Sequence, residues 1–386
     1  MATADVIIIG AGLNGLSAGY WLAKAGARVV VLDKGRTAYE ASSRATGYLS
    51  LRADSPPEIP LAVEAERLWG TLDAELGYPT EWTPTGRMWA ACDELEWRQY
   101  QADCAEYSKA GLGFRLIDAK ECRERVPALS DRVLGGIHTP RSGHANPQRT
   151  SQAFAWALRD RGGEIREHEA VLGIHTAGGR VTGVRTARGR LDAGIVIACA
   201  GPQNPLLAAQ LGIHFPAAAA RFEAMVTAPI APLYDIALIG NRISARQTKR
   251  GNLHFNGGPH EWVDVSLAGE PPKPNTPIVR GAARRLVELL PGVAHVPLLR
   301  CWSGVVDVTP DQKCIIERFD TPVGLLMASS AGHGFGMAPS VGKALCELAL
   351  EGRSRVPIDG LSLERFARLP ADWRERIHWQ AGQYNT

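Results

Sequence analysis

Val6-Ile7-Ile8-Ile9, then Gly10-Ala11-Gly12-Leu13-Asn14-Gly15, then Asp33 after a second apolar run, is the stretch whose reading decides the fold. Four consecutive apolar residues, three of them isoleucine, read as a strand buried on both faces of a parallel sheet. Gly10 permits a tight turn, Gly12 lets a pyrophosphate approach the backbone, and Gly15 lets the next helix pack closely on the strand. The helix is expected over residues 13–25 and stops at Gly26; residues 28–32 supply the second strand, with Asp33 at its carboxyl end. Asp33 follows the first glycine at about the 20-residue distance expected of a carboxylate that accepts from ribose hydroxyls. Strand, turn, helix, strand and acid arrive in order and mark an adenine-dinucleotide site. The motif alone fits FAD and NAD equally.

The chain has 386 residues, 45% of them hydrophobic, enough for two domains or one large one with a real core. Charged residues make up 22% and the net charge is +3, which gives no electrostatic footprint for nucleic acid or an anionic membrane. No apolar run approaches the ~20 residues of a membrane span. The first strand begins so early that no room for a secretory signal is expected. Seven cysteines, Cys92, Cys104, Cys122, Cys199, Cys301, Cys314 and Cys346, show no metal-ligand spacing, so no metal site is expected. Free thiols in a reducing cytoplasm are the economical reading.

Outward from the glycine turn, Ala41-Ser42-Ser43-Arg44-Ala45-Thr46-Gly47 is small and polar with one cation, suited either to lying along a phosphate and a flat ring or to an ordinary solvated loop. A helix is expected over 62–76, a strand over 86–91, a helix over 94–110, and strands over 114–117 and 135–139. The α/β pattern returns with a helix over 148–161, a hairpin around Gly178-Gly179 and a buried strand ending at Gly201. From 215 to 299 the pattern is antiparallel, with strands over 222–227, 236–239, 243–247 and 253–256 and a helix over 280–290. A strand over 324–329 and a helix over 341–351 close the chain. The expected architecture is α/β: a Rossmann-like dinucleotide-binding domain (1–79, 141–214 and 300–386) interleaved with a sheet-rich antiparallel α+β substrate domain (80–140 and 215–299). A ligand site belongs at the interface of the two.

The second strong signal is Arg300-Cys301-Trp302-Ser303-Gly304, Thr309-Pro310-Asp311 and Ser330-Ala331-Gly332-His333-Gly334-Phe335-Gly336-Met337-Ala338-Pro339. Alternate glycines let the backbone approach a planar ligand. Pro339 and Ser340 are expected to open a helix whose positive end faces that ligand. With these residues the chain resembles the D-amino acid oxidase superfamily of FAD-dependent amine oxidoreductases, over nearly its whole length. It is most similar to the branch of glycine oxidase, the sarcosine oxidase and dye-linked proline dehydrogenase β subunits, opine oxidase and hydrogen cyanide synthase. Ser244-Ala245-Arg246-Gln247-Thr248 and Gly304-Val305-Val306-Asp307-Val308-Thr309 look like stretches of the β-subunit branch.

The resemblance implies non-covalent FAD and oxidation of a C–N bond, a secondary or substituted amine being favoured, with oxygen or another acceptor taking the electrons. It implies Gly10, Gly12 and Gly15 at the pyrophosphate, Asp33 at the ribose, Ser43 and Arg44 along phosphates and ring, Val171 at adenine, Gly201 at the ribityl chain, and Gly332, His333, Gly334, Phe335, Gly336 and Met337 at the ring's pyrimidine side. It leaves open a homo-oligomer or a β subunit that needs partner chains. Two positions depart from the family. Val306 stands where amino acid oxidases carry a carboxylate-binding arginine, and Gly304 stands at the register of the cysteine that tethers flavin in monomeric sarcosine oxidase.

For the reaction, His333 is the polar candidate beside the ring, able to polarise flavin, orient substrate or cap a turn. Arg44 and Arg246 are candidates for catalysis or for an acidic substrate, and Arg52, Arg242 and Arg250 for binding an acidic substrate. Trp82, Trp89, Trp262 and Trp302 could wall a pocket or fill a core, and Cys301 is expected on apolar surface. An NAD-dependent dehydrogenase is the rival reading; it leaves the Gly332 loop unexplained.

Overall fold

Val6–Ile9 is fully buried and runs parallel between Val29–Leu32 and Ile195–Ala198. The computed structural model describes residues 4–49, 56–109, 112–257, 260–270, 272–370 and 372–376. The complete sheet has six strands in the order Ile315–Arg318, Leu325–Ser329, Ile195–Ala198, Val6–Ile9, Val29–Leu32, Glu164–Arg166. All pairs are parallel except the outermost, Ile315–Arg318 with Leu325–Ser329. Because side chains alternate, Val6 and Ile8 enter a core with the helices Leu13–Lys24, Pro147–Asp160 and Gly334–Glu351, while Ile7 and Ile9 enter another with the hairpin strands Val171–Ala177 and Arg180–Thr186. Glycine sets how closely these layers approach. A Cβ on Gly15 would lie 2.0 Å from the Gly10 carbonyl oxygen, and one on Gly342 would lie 2.2 Å from Ser17 Oγ, so the first and last helices meet almost backbone to backbone.

The second sheet has nine strands. Their order is Glu261–Trp262, Ala218–Pro229, Asn252–Gly257, Ile243–Gln247, Ala237–Gly240, Arg87–Ala91, Gly135–Thr139, Arg115–Asp118, with Leu298–Val308 on the free side of Ala218–Pro229. It is antiparallel except that Ala237–Gly240 and Arg87–Ala91 run parallel. Met88, Met225, Leu238, Ala245 and Phe255 point into a core with the helix Thr276–Leu289. Alternation therefore turns Arg87, Phe222, Ser244, Arg246, His254 and Asn256 to the other face.

Three expectations are corrected. The helix expected over 62–76 is two, Ile59–Trp69 and Leu72–Leu76, because Gly70-Thr71 interrupts the ladder. The helix expected to open at Pro339 opens at Gly334, with His333 at its N-cap and Pro339 inside it. Proline there forfeits one ladder bond, while its carbonyl accepts from Trp21 Nε1 at 3.3 Å and so joins two helices. The domain edge expected at 300 falls within the Leu298–Val308 strand, all of which belongs to the second sheet. Among the described residues no helix is long and apolar enough to cross a membrane.

Candidate active site

A cavity of about 650 Å³ runs from the Gly10 turn to the polar face of the second sheet. Gly10 holds φ +102°, and a Cβ there would sit 2.5 Å from the Cys199 carbonyl oxygen. Gly12 differs: its backbone is extended, and a Cβ would meet only Ser42 Oγ at 3.3 Å, so its open side is the cavity itself. Ser42 Oγ accepts from Leu13 N at 2.8 Å, which docks the 41–44 segment on the first helix. Asp33 accepts from Ala11 N at 2.7 Å and from Gly35 N at 2.8 Å. Burial pushes its carboxyl above the usual range, against those two amides. Each oxygen keeps a lone pair for a further donor. Residues 263–270 form a strap over this end: Lys34 Nζ donates to Gly269 O and Gln203 Nε2 to Ser266 O at 3.4 Å.

The other end of the cavity is built around Gly332, at φ +83°. Asp307, buried and pushed upward by that burial, accepts from Ser330 N at 3.1 Å. Asn14 Nδ2 donates to Ser330 Oγ, so the first helix braces the same turn. Gly334 and Phe335 open an 18-residue helix at the cavity wall, which turns its positive end toward the cavity. Gly336 does something else. A Cβ there would lie 2.6 Å from Leu49 Cα, and its carbonyl accepts from Trp69 Nε1 at 2.7 Å, so this glycine lets the helix press on the Tyr48–Leu49 strand.

His333 lines the cavity, but both ring nitrogens are engaged. Nδ1 lies 3.1 Å from Ala331 O and Nε2 lies 3.0 Å from Glu58 Oε1. Glu58 Oε1 also accepts from Cys314 N at 2.7 Å. Glu58, Cys314 and His333 thus bring three potential metal-ligand atoms within 4.8 Å of one another. Their contacts are hydrogen bonds, and sequence spacing gave no hint of the grouping.

Of the residues named from sequence, Gly10, Gly12, Asp33, Arg44, Val171, Gly201, Gly332, His333, Gly334 and Phe335 line the cavity. Gly15 packs behind the turn, Met337 is core, and Ser43 lies off the wall, its carbonyl accepting from Gln148 Nε2 at 2.8 Å. Arg44 donates from Nε to Tyr39 O at 2.8 Å and from Nη1 to Ser303 O. Arg246 is buried just behind the wall, whereas Arg242 and Arg250 sit in turns at either end of its strand. Arg52 lies outside the described residues. None of the four tryptophans lines the cavity: Trp82 stacks on Trp69 at 5.1 Å and Trp302 Nε1 donates to Arg44 O at 3.1 Å. Cys301 is exposed, not packed on apolar surface, because the first four residues of its strand lie open to solvent. The sequence reading missed Tyr48, Arg87, Ser244, Asn256 and His260, which make the polar part of the far wall. His260 stacks on Phe222 at 3.5 Å between ring centroids, and burial lowers its pKa to about 3.

The open side of Gly12, the half-buried acceptor Asp33 and the helix end at Gly334 suit an adenine dinucleotide with an electron-accepting ring. A family model described as FAD dependent oxidoreductase matches residues 5–348. The chain belongs to this FAD-dependent oxidoreductase family. It is 29% identical to sarcosine oxidase subunit beta of Rhodobacter capsulatus, covering 94% of this chain and 88% of that protein. It is 26% identical to D-amino acid dehydrogenase of Methylobacterium radiotolerans, covering 94% and 99%. Among solved structures, glycine oxidase from Geobacillus kaustophilus superposes with a TM-score of 0.87 at 22% identity over 94% of this chain and 99% of that one. L-proline dehydrogenase from P. horikoshii gives 0.85 at 24% identity over 95% and 98%. The NAD-dependent reading is set aside, because the family model that matches residues 5–348 is one of FAD-dependent oxidoreductases.

Proposed function

We propose that this oxidoreductase oxidises the C–N bond of a small amine or amino acid, with a secondary or substituted nitrogen favoured, using non-covalent FAD. The observation that carries the reading is the continuous cavity that joins the Gly10–Asp33 end to the second sheet, so that cofactor and substrate would share one space. The chemistry FAD supplies when bound is acceptance of a hydride equivalent at N5 from the carbon beside nitrogen, the resulting imine hydrolysing in water. Gly12 and Asp33 would hold the dinucleotide. The Asp307–Ser330–Asn14 brace would fix the ring end, and the Gly334 helix terminus would stabilise negative charge there. Phe222, Val306 and Ala331 offer apolar surface beside Gly332, suited to a nitrogen substituent. His260 stays neutral at neutral pH and puts no cation against an amine. The 263–270 strap keeps water from the pyrophosphate side.

A second reading makes this chain the flavin subunit of a larger assembly. It is supported by relatives named beta subunits and by exposed Leu298 and Leu299 at the start of an edge strand. The seven free cysteines support a reducing, cytoplasmic setting. The test is anaerobic mixing of the purified yellow protein with N-methyl amino acids and simple secondary amines. Bleaching of the flavin absorbance supports the reading; a colourless protein, or a flavin no amine reduces, overturns it. Turnover by the chain alone, with oxygen or an artificial acceptor, separates the autonomous enzyme from the subunit.

A further inference from the structure

The row of residues behind the polar wall contains a buried cation without a counter-ion. Arg246 is 6% exposed. Among the described residues its one hydrogen bond runs from Nε to Thr46 O, and no carboxylate pairs with it. Glu81, the acid within electrostatic reach, is held by Asn146 Nδ2 at 3.0 Å and by Arg149. Around the guanidinium stand Tyr48, Tyr234, His144 and His254. The hydroxyls of Tyr48 and Tyr234 and Nε2 of His254 are buried and have no hydrogen-bond partner. His144 and His254 are held neutral by burial and by the neighbouring arginine, so they add no charge of their own. A buried guanidinium beside donors that give their hydrogens to nothing is costly unless an anion completes the set.

The register shows how such an anion would arrive. Arg246 pairs with His254, and Arg87 pairs with Ala237, one step along from the Leu238–Ala245 pair. Arg87 and Arg246 therefore stand in one cross-strand row. Tyr48 lies between them, with the Arg87 guanidinium 5.6 Å from its ring centroid. Tyr48, Thr46 and Arg87 line the cavity, as does Ser244, which shares a face with Arg246. We infer that Arg246, with the Tyr48 and Tyr234 hydroxyls, receives the carboxylate of the substrate, which is therefore an amino acid or N-substituted amino acid and not a plain amine. This rests on the amine-oxidation reading above. The planar fork of arginine matches a carboxylate in two parallel hydrogen bonds, and two phenols complete its oxygens. Val306 removes the family's usual anchor; this row supplies one from other strands of the same sheet.

The test uses the FAD-loaded protein and two non-oxidisable probes, propionate and propionamide, followed by the change in the flavin absorbance spectrum. Wild type should bind propionate about 30-fold or more tightly than propionamide. Arg246→Gln should lose that preference while its FAD content and propionamide affinity stay within about threefold. Tyr234→Phe removes one hydroxyl without reshaping the fold and should weaken propionate severalfold, which keeps the inference testable if Arg246→Gln does not fold. Equal binding of the two probes by wild type, or undiminished propionate preference in both variants, overturns it. A second arm compares anaerobic flavin reduction by an N-methyl amino acid and by its decarboxylated amine. Reduction by the acid alone supports the anchor, and equal reduction by both overturns it. Reduction by neither defeats the amine-oxidation reading, and the propionate titration then still decides the anchor.

Discussion

Glycines a few positions apart do different physical work. Gly12 faces the cavity with an allowed backbone, whereas a Cβ on Gly15 would lie 2.0 Å from a carbonyl oxygen of its own turn. Gly12→Val should therefore fold and lose FAD. Gly15→Ala should lose stability first, by about 1–3 kcal/mol from overpacking. Circular dichroism and urea unfolding report the fold, and visible absorbance reports the cofactor; a yellow Gly12→Val protein would place the pyrophosphate elsewhere. Covalency is also decided at single residues. Cys199 is the cysteine on the cavity wall, and burial pushes its thiol up to about 12, so it offers no thiolate to the ring. Gly304 has no side chain to offer. Acid precipitation should leave the pellet colourless and the supernatant yellow, and flavin remaining in the pellet would refute the non-covalent state.

At the scale of elements, the start of the last helix joins the core to the site. Glu58 Oε1 takes hydrogen bonds from Cys314 N and His333 Nε2, tying a helix, a strand end and the N-cap of Gly334–Glu351 together. Glu58→Ala leaves a buried amide and a half-buried imidazole without their acceptor and should cost about 1–3 kcal/mol. Urea unfolding measures this, and the flavin spectrum of the variant should shift because the helix end loses its anchor. Unchanged stability and spectrum would show the contact to be idle. None of this was legible in sequence, since residues 58, 314 and 333 meet only through the fold. The Gly10–Asp33 unit was legible because its chemistry is local: a strand, a turn and a helix end must follow one another for backbone amides to face a phosphate. Arg87, Tyr48, Ser244 and Asn256 were not, because strand pairing and the docking of the two sheets bring them together. The Gly332–Gly336 run was half legible. Spacing shows that something approaches closely, but at Gly336 it is the Tyr48–Leu49 backbone and not a ring. Pro339 marked a helix start by its usual preference, and packing against Trp21 overrode it.

For the molecule as a whole, the second sheet and its seam with the first bury four histidines as neutral rings. His138 and His144 are lowered to about 4 and His260 to about 3, with burial the main cause in each, and burial and Arg246 hold His254 well below its ordinary value. For His138 the neighbouring Arg125 and Arg115 push further down and Glu121 pushes back. An unfolded histidine takes up its proton near pH 6.5. Between there and about 4 the unfolded chain binds more protons than the native one, so the contribution of His138 is fully present above pH 6.5 and is lost as pH falls through about 4. Asp33, Asp307 and Glu223 are shifted upward by burial and act in the opposite sense, so the wild-type profile alone would mix the two. His138 lies in the outer part of the second sheet, away from the cavity, and is the position for a clean comparison. His138→Gln cannot titrate. The stability of wild type relative to this variant should fall by about 2 kcal/mol in total as pH drops from 7 to 4, with most of the change between 6 and 4.5. Urea unfolding of both proteins at half-unit pH steps measures the gap. A gap that stays constant, or widens in favour of wild type toward acid, would show that His138 is charged in the native protein.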